Sequence, residues 1–414
     1  MSKNKIAPTI RFQGFHDAWE ERKLGEIITE VTRTDETSEA PVMMITAENG
    51  FIKQSERYSY NNSGKSLKKY IILKQGELAY NHGASKLRPY GSCFSLITEK
   101  EARIPYVYHC FAAKHDNSRF LSFLLNGESV ERQLKKLVSS GARMDGLLNI
   151  SFEDYESVLL HVPSKNEEDK IVKFLTKLDY LITLHQRKLE QQKQMKKYFL
   201  QNMFPARGET VPQIRFQGFT GDWEQRKLGE ISAVIDPHPS HRAPAETEAG
   251  IPFIGIGDVD EAGNINYSTA RIVDEKIYDE HHRRYNLAIS SIGIGRVASL
   301  GKVVRLRNDI GKYAVSPTMS IIQFSQEVDV NYIYSYMSST FFQKQFTAKS
   351  SGSTRQSVGI QDLRQFVISI PQDTAEQMKI GIFFWNFDSL ITLYQRKIDQ
   401  LQSMKKFMLQ NLFI

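Results

Sequence analysis

Residues Glu167–Met203 read EEDKIVKFLTKLDYLITLHQRKLEQQKQMKKYFLQNM, a run with no Pro and no Gly. Apolar residues recur in it at alternating three- and four-residue steps: Ile171, Phe174/Leu175, Leu178, Leu181/Ile182, Leu189, Met195 and Phe199. That spacing predicts a long amphipathic helix with a coiled-coil-like seam. At 1.5 Å per residue it would extend roughly 55 Å. A helix of this kind draws its stability from packing of the apolar stripe, so the seam needs a partner.

The far end of the chain supplies one. Residues Glu376–Phe413 carry the same stripe at Ile380, Phe383/Phe384, Phe387, Leu390/Ile391, Ile398, Met404 and Met408. Asp179, Leu181, Ile182, Thr183, Leu184, Gln186, Arg187 and Lys188 return as Asp388, Leu390, Ile391, Thr392, Leu393, Gln395, Arg396 and Lys397, at a constant offset of 209 residues. Lys196, Lys197, Leu200, Gln201, Asn202 and Phe204 return at the same offset. Ile171, Leu175, Leu178, Ile182 and Leu189 are the expected seam of the first helix, and Ile380, Phe384, Phe387, Ile391 and Ile398 that of the second.

Each helix has its own leader. Ile10-Arg11-Phe12-Gln13-Gly14-Phe15 returns as Ile214-Arg215-Phe216-Gln217-Gly218-Phe219, and Arg22-Lys23-Leu24-Gly25-Glu26-Ile27 as Arg226-Lys227-Leu228-Gly229-Glu230-Ile231. Trp19 and the nearby Phe residues suggest a packed clip around Gly14 and Gly25. The chain therefore divides into 1–165 (leader plus first globular domain), 166–206 (helix and linker), 207–373 (second leader plus second domain) and 374–414 (second helix). In the first domain, short β-like runs at Pro41–Thr46, Tyr70–Leu73, Glu77–Asn81 and Ser92–Ile97 are followed by helical stretches around Arg119–Leu125 and Val130–Val138. In the second, the strands are Ile251–Ile256, Leu287–Ile292, Gly301–Leu306 and Thr318–Gln323. The fold class is α+β with an internal two-fold pseudo-repeat. The scaffold parts of the repeat are alike and the domain interiors are not. Only Ser139-Ser140-Gly141-Ala142-Arg143 and Ser351-Gly352-Ser353-Thr354-Arg355 correspond inside them.

The 414 residues suffice for two or three domains. A net charge of +7 permits a nucleic-acid partner. Two cysteines, Cys93 and Cys110, give neither a disulfide framework nor metal-ligand spacing. No stretch has the length of a membrane helix and the first residues lack a signal-peptide core, so the cytoplasm is the expected location. Catalytic constellations fail on inspection. Gly64-Lys65-Ser66 ends like a phosphate loop, but Ser59 stands where its first Gly belongs. Gly293-Ile294-Gly295-Arg296-Val297-Ala298 is followed by β-like sequence rather than a helix, which suits a tight strand turn. Asp236-Pro237-His238-Pro239 lacks the aromatic that ends the amino-methyltransferase motif. Glu168-Asp169-Lys170 sits at a helix start, where acids favour the positive dipole end. His281-His282-Arg283-Arg284 reads better as a solvated or phosphate-facing basic cluster than as metal ligands. No catalytic residue and no metal site is named, and the chain reads as a non-enzyme.

Basic residues in loop-like contexts are the candidates for DNA contact: Lys65, Lys68, Lys69, Lys86, Arg88 and Arg143 in the first domain, and Arg283, Arg284, Arg296, Lys302 and Arg355 with Thr354 in the second. The two Gly-containing loops ending in Arg143 and Arg355 stand out because they recur in otherwise divergent domains.

With its duplicated leader, the helix motifs around Asp179–Lys188 and Lys196–Asn202, and two dissimilar domains, nearly the whole chain resembles a specificity subunit of a type I restriction-modification system. The resemblance implies two target recognition domains, each reading half of a bipartite, asymmetric double-stranded DNA sequence. It implies two spacer helices packed antiparallel, and two modification subunits docked on the scaffold, joined by restriction subunits. S-adenosylmethionine, ATP and Mg would belong to those partners and no cofactor to this chain. Two other readings make different predictions. A stand-alone bipartite DNA-binding regulator would bind tightly without partners, and a coiled-coil protein adaptor would show no salt-dependent DNA affinity.

Overall fold

The computed structural model of the chain describes residues 7–58, 64–138, 148–238, 243–297, 299–325, 327–349 and 357–414, without the side chains of 64–66. The chain forms two compact units, Met1–Thr183 with Asp399–Ile414, and Leu184–Ile398. Each unit thus takes part of each long helix, whereas the sequence sets the helices apart as separate segments. The reason is packing: Ile171, Leu175 and Leu178 with Leu401 and Met408 join the core of the first domain, and Phe199 and Leu200 with Ile380, Phe384 and Phe387 that of the second.

In the first unit a leader strand β1 (Glu20–Lys23) comes first. A four-stranded antiparallel sheet follows, made of β2 (Ile28–Glu30), β3 (Leu78–Asn81), β4 (Ser92–Ser95) and β5 (His109–Ala113) in the order β2-β5-β3-β4. Successive side chains on a strand point to opposite faces. Leu78, Tyr80 and Phe111 enter one apolar cluster, and Ala79 and Cys110 the other. Helix α1 (Ser118–Leu125) covers the first face, capped by Asn117, whose side chain accepts from the backbone N–H groups of Arg119 and Phe120. Strand β6 (Leu159–Val162) pairs antiparallel with β1 and leads into α2 (Lys165–Asn202).

The second unit repeats the plan. Leader strand β7 (Glu224–Lys227) precedes β8 (Ser232–Ile235), β9 (Ser291–Gly295), β10 (Val303–Leu306) and β11 (Met319–Phe324), ordered β8-β11-β9-β10. Strand β9 starts later than the expected Leu287, because residues from Asn286 turn: Asn286 Oδ1 accepts from Ala288 N at 2.9 Å. Helix α3 (Val330–Met337), capped by Asp329, covers one face. Strand β12 (Val367–Ile370) pairs with β7 and leads into α4 (Thr374–Asn411). Equivalent cross-strand rows can be read off the two sheets: Glu30, Phe111, Leu78 and Ser95 in the first, and Val234, Ile322, Ile292 and Arg305 in the second.

The helices run antiparallel, as each unit shows by itself. In the first, Ile171, Leu175 and Leu178 near the start of α2 share a core with Leu401, Met408 and Leu412 at the end of α4. In the second, Met203 and Phe204 at the end of α2 share a core with Ile380, Phe384 and Phe387 near the start of α4. Leu189, Ile391 and Ile398 make a small separate cluster with Tyr394, and Ile182 is half-buried. Matched salt bridges brace the helices. Lys405 meets Asp179 at 2.6 Å, and the equivalent Lys196 meets Asp388.

The leaders close each unit. The Ile10 N–H donates to the Asn411 carbonyl at 3.0 Å, and the Ile214 N–H to that of Asn202 at 2.8 Å. Arg11 grips the buried Glu167 carboxylate with both ends of its fork at 2.7 Å, and Arg215 grips Glu376 at 2.7 and 2.8 Å. Gly14 and Gly218 adopt φ of +98° and +97°, a conformation that favours glycine, and so turn the leaders between the Arg and the buried Trp19 and Trp223.

The units differ one residue further along each helix. Glu168 Oε2 accepts from the capping Asn117 N–H at 2.6 Å, where the second unit has Gln377 accepting from Asp329 N–H at 3.1 Å. Burial pushes the Glu168 carboxyl up to about 8, with the Asn117 N–H opposing and neighbouring Asp116 adding to the rise. Unfolded, it titrates near 4.5. The native state therefore holds the extra proton between these values, and stability falls as pH rises across that window. Glu168→Gln is expected to raise the melting temperature relative to wild type by an amount that grows from pH 5 to pH 8, on the order of 2–4 °C per kcal/mol relieved. An offset independent of pH, measured by thermal melts at both values, would contradict this.

Candidate nucleic-acid interface

The β3–β4 hairpin and the β9–β10 hairpin occupy the same place in the two sheets. Residues 82–91 turn the first, and the second turn includes 296–297 and 299–302. In the second the chain doubles back tightly. Gly295 N–H donates to the Lys302 carbonyl at 2.8 Å, and a Cβ on Gly295 would stand 2.4 Å from the Ser299 oxygen. Only a residue without a side chain permits that approach. This is the strand turn that the glycine pattern predicted.

Four sequence candidates fall in these equivalent turns: Lys86 and Arg88 in one, Arg296 and Lys302 in the other. The base of each turn receives a second segment in the same way. Leu148 N–H donates to the His82 carbonyl at 2.9 Å, and Val358 N–H to the Arg296 carbonyl at 3.1 Å. Leu148 and Val358 lie just after the two Gly-containing loops singled out in the sequence. Arg143, Thr354 and Arg355 themselves lie outside the described residues, as does the Lys65 side chain. Thus the described flank of each recurrent loop is stitched to the same hairpin end in two domains whose sequences differ.

The basic residues have unlike surroundings. Lys86 is exposed at the first turn beside exposed Leu87. Arg88 is half-buried and donates to the Asn126 carbonyl at 2.8 Å, with Glu131 at 3.5 Å. Lys302 donates to the carbonyls of Ile256 and Val259 at 2.8 and 3.0 Å. Arg88 and Lys302 therefore hold the turns in shape. Arg296 pairs with Asp236 at 2.9 Å, and Arg284 donates to the Asp236 carbonyl at 3.2 Å. Arg283 is exposed at the end of the helix Lys276–His282. Lys68 and Lys69 are exposed at the end of a short 3-10 helix, with Lys68 2.8 Å from Glu36.

The expected basic cluster at 281–284 faces two ways. His281 is buried, its ring 4.7 Å from that of His238, and burial followed by the His238 charge lowers its pKa to about 4. His282 stacks on Tyr278 at 3.8 Å. A seven-residue helix against an apolar core must turn one side inward, so the arginines alone face solvent. Asp236, whose sequence motif is incomplete, receives both arginines, Arg296 on its carboxylate and Arg284 on its backbone carbonyl. Its role depends on contacts 48 and 60 residues away in sequence, which no local pattern reports. Among the described residues no group of three His, Cys, Asp or Glu is placed to hold a metal ion, and no helix is long and apolar enough to cross a membrane. Cys93 and Cys110 are buried thiols, raised by burial, Cys93 to about 12.

Exposed and carbonyl-anchored cations at each hairpin end suit phosphate contact and base-edge hydrogen bonding. A family model described as the type I restriction modification DNA specificity domain matches residues 16–194 and again 220–403. The chain is similar in fold to the S subunit of a type I restriction-modification system from M. genitalium, with a TM-score of 0.61 over 99% of both chains at 14% identity. It is also similar to a chain from a structure titled for complex assembly and conformational transition of the type I restriction-modification system, with a TM-score of 0.51 over 97% of this chain and 99% of that one, at 15% identity. The sequence matches none of the curated proteins.

Proposed function

The chain belongs to the type I restriction-modification DNA specificity family, and from that premise we propose that each of its two domains reads one half of a bipartite, asymmetric DNA target. The observation that carries this is the equivalent hairpin end, built in both domains at the same sheet position and furnished with different residues. Two copies of one frame present two different reading surfaces, so the two half-sites differ. In this reading α2 and α4 are the spacer that sets the gap between them. Half-sites on one face of B-DNA lie about 34 Å apart per helical turn, within reach of helices of roughly 55 Å.

The chain supplies sequence choice rather than chemistry. Two modification subunits using S-adenosylmethionine would dock on the two-fold repeated scaffold, and restriction subunits using ATP and Mg would join them in the cytoplasm. A two-fold repeat lets two identical subunits bind one chain in equivalent ways.

The test is co-expression with candidate modification subunits in a host without DNA methylation, followed by long-read mapping of methylated bases. A single bipartite adenine-methylated motif is expected. Arg143→Ala and Arg355→Ala are each expected to cost about 1–3 kcal/mol of DNA affinity and to relax one half-site only. A purified complex that methylates no motif would overturn the reading, and unchanged affinity in both variants would remove these loops from the interface.

A further inference from the structure

Arg305 on β10 is a charged residue buried inside the second unit, 8% exposed. Its guanidinium donates to Asp388 Oδ2 of α4 at 2.9 Å and to the Glu261 carbonyl at 2.8 Å. It stacks over Tyr334 of α3 at 3.5 Å and lies 4.7 Å from the ring of Trp385 on α4. Asp388 also receives Lys196 of α2. One arginine thus ties the recognition sheet to α3, to α4 and, through Asp388, to α2. A planar fork with directed donors and a stacking face fixes orientation as well as distance.

Among the described residues, the first unit keeps the helix half of this arrangement and shows no counterpart of the domain half. Asp179 and Lys405 repeat Asp388 and Lys196 at the 209-residue offset. The residue equivalent to Arg305 in the cross-strand row is Ser95, which reaches no helix carboxylate among the described contacts. Asp179 is accordingly more open, with 35% of its side chain exposed against 2% for Asp388.

We propose that Arg305 is a positioning residue that locks the second recognition domain onto the spacer helices at a set angle, where the first recognition domain has Ser95 at the equivalent position. This rests on the bipartite reading proposed above. With the lock intact, the second half-site is accepted only at one distance along the spacer. Without it, the domain tolerates neighbouring distances while still reading the same bases.

The experiment uses the complex of the full chain with its modification subunits. Binding and methylation are compared on the cognate target and on targets whose gap is one base pair longer or shorter. Arg305→Ser, which copies the first domain, is expected to reduce discrimination against the altered gaps at least five-fold, with cognate affinity changed less than about three-fold. Arg305→Lys, with charge but no fork, is expected to fall between. Asp388→Asn weakens the same link from the helix side, keeps the side-chain size, and is expected to act in the same direction. Ser95→Ala is expected to leave discrimination unchanged. Methylation of the cognate site shows that each variant is folded. Wild-type discrimination in both Arg305→Ser and Asp388→Asn overturns the assignment. A wild-type complex that recognises no bipartite motif overturns the reading beneath it, and the two failures are distinct.

Discussion

Arg11→Ala is expected to destabilise the first unit by about 3–5 kcal/mol, the usual loss when one partner of a buried ion pair is removed. Glu167 is 1% exposed and takes both ends of the Arg11 fork. Without that fork its charge is desolvated and uncompensated. Arg215→Ala should act alike on Glu376 in the second unit, where the carboxylate is also 1% exposed. The cost reflects the stranded carboxylate more than the worth of the pair. Replacing both partners by apolar residues of similar volume is therefore expected to recover much of the loss. Urea unfolding of the two single variants and of the Arg11→Met/Glu167→Leu double variant tests this. A single-variant loss under about 1 kcal/mol, or a double variant no better than the single, would show that the leader is held by its apolar contacts instead.

The second large effect is a change of target. Seven residues added to Gln186–Gln194 and seven to the equivalent 395–403 preserve the 3.5-residue seam period. Each helix then lengthens by about 10 Å, close to three base pairs at 3.4 Å per step. The methylated motif is expected to keep both half-sites and to gain about three base pairs of gap. The insertion falls where the apolar cluster is smallest, around Leu189, Ile391 and Ile398, so the recognition cores are left alone. Altered half-site bases, or an unchanged gap in an active complex, would remove the helices from the role of spacer.

Much of the frame was legible because its signals are local and periodic. A seam with three- and four-residue steps needs no knowledge of the rest of the chain, and α2 and α4 begin within two residues of the expected Glu167 and Glu376. The repeat was legible because identical side chains do identical work twice. Arg11 and Arg215, Lys196 and Lys405, and Asp179 and Asp388 all make matched contacts. The domain interiors were less legible. Val330–Met337, VNYIYSYM, has the aromatic and branched composition of a strand, yet it is a helix capped by Asp329 and buried against the sheet. Tertiary burial outweighs a propensity difference of well under 1 kcal/mol per residue.

The candidate site divides along the same line. Composition and loop context identified the cations, but charge in a sequence does not say what the charge faces. Lys302 and Arg88 are held by carbonyls, Arg296 by Asp236, and His281 is turned into the core. By itself the sequence determined the duplication, the long helices, the division into like scaffolds and unlike interiors, and the family, since each rests on order along the chain. Only the tertiary structure decided which hairpin ends are equivalent, which cations are spent on holding loops, that Glu168 meets the capping Asn117 as Gln377 meets Asp329, and that Arg305 bolts the second sheet to the helices. Those facts rest on pairs brought together from tens of residues apart, and energies at such contacts depend on burial and angle, which no stretch of sequence carries.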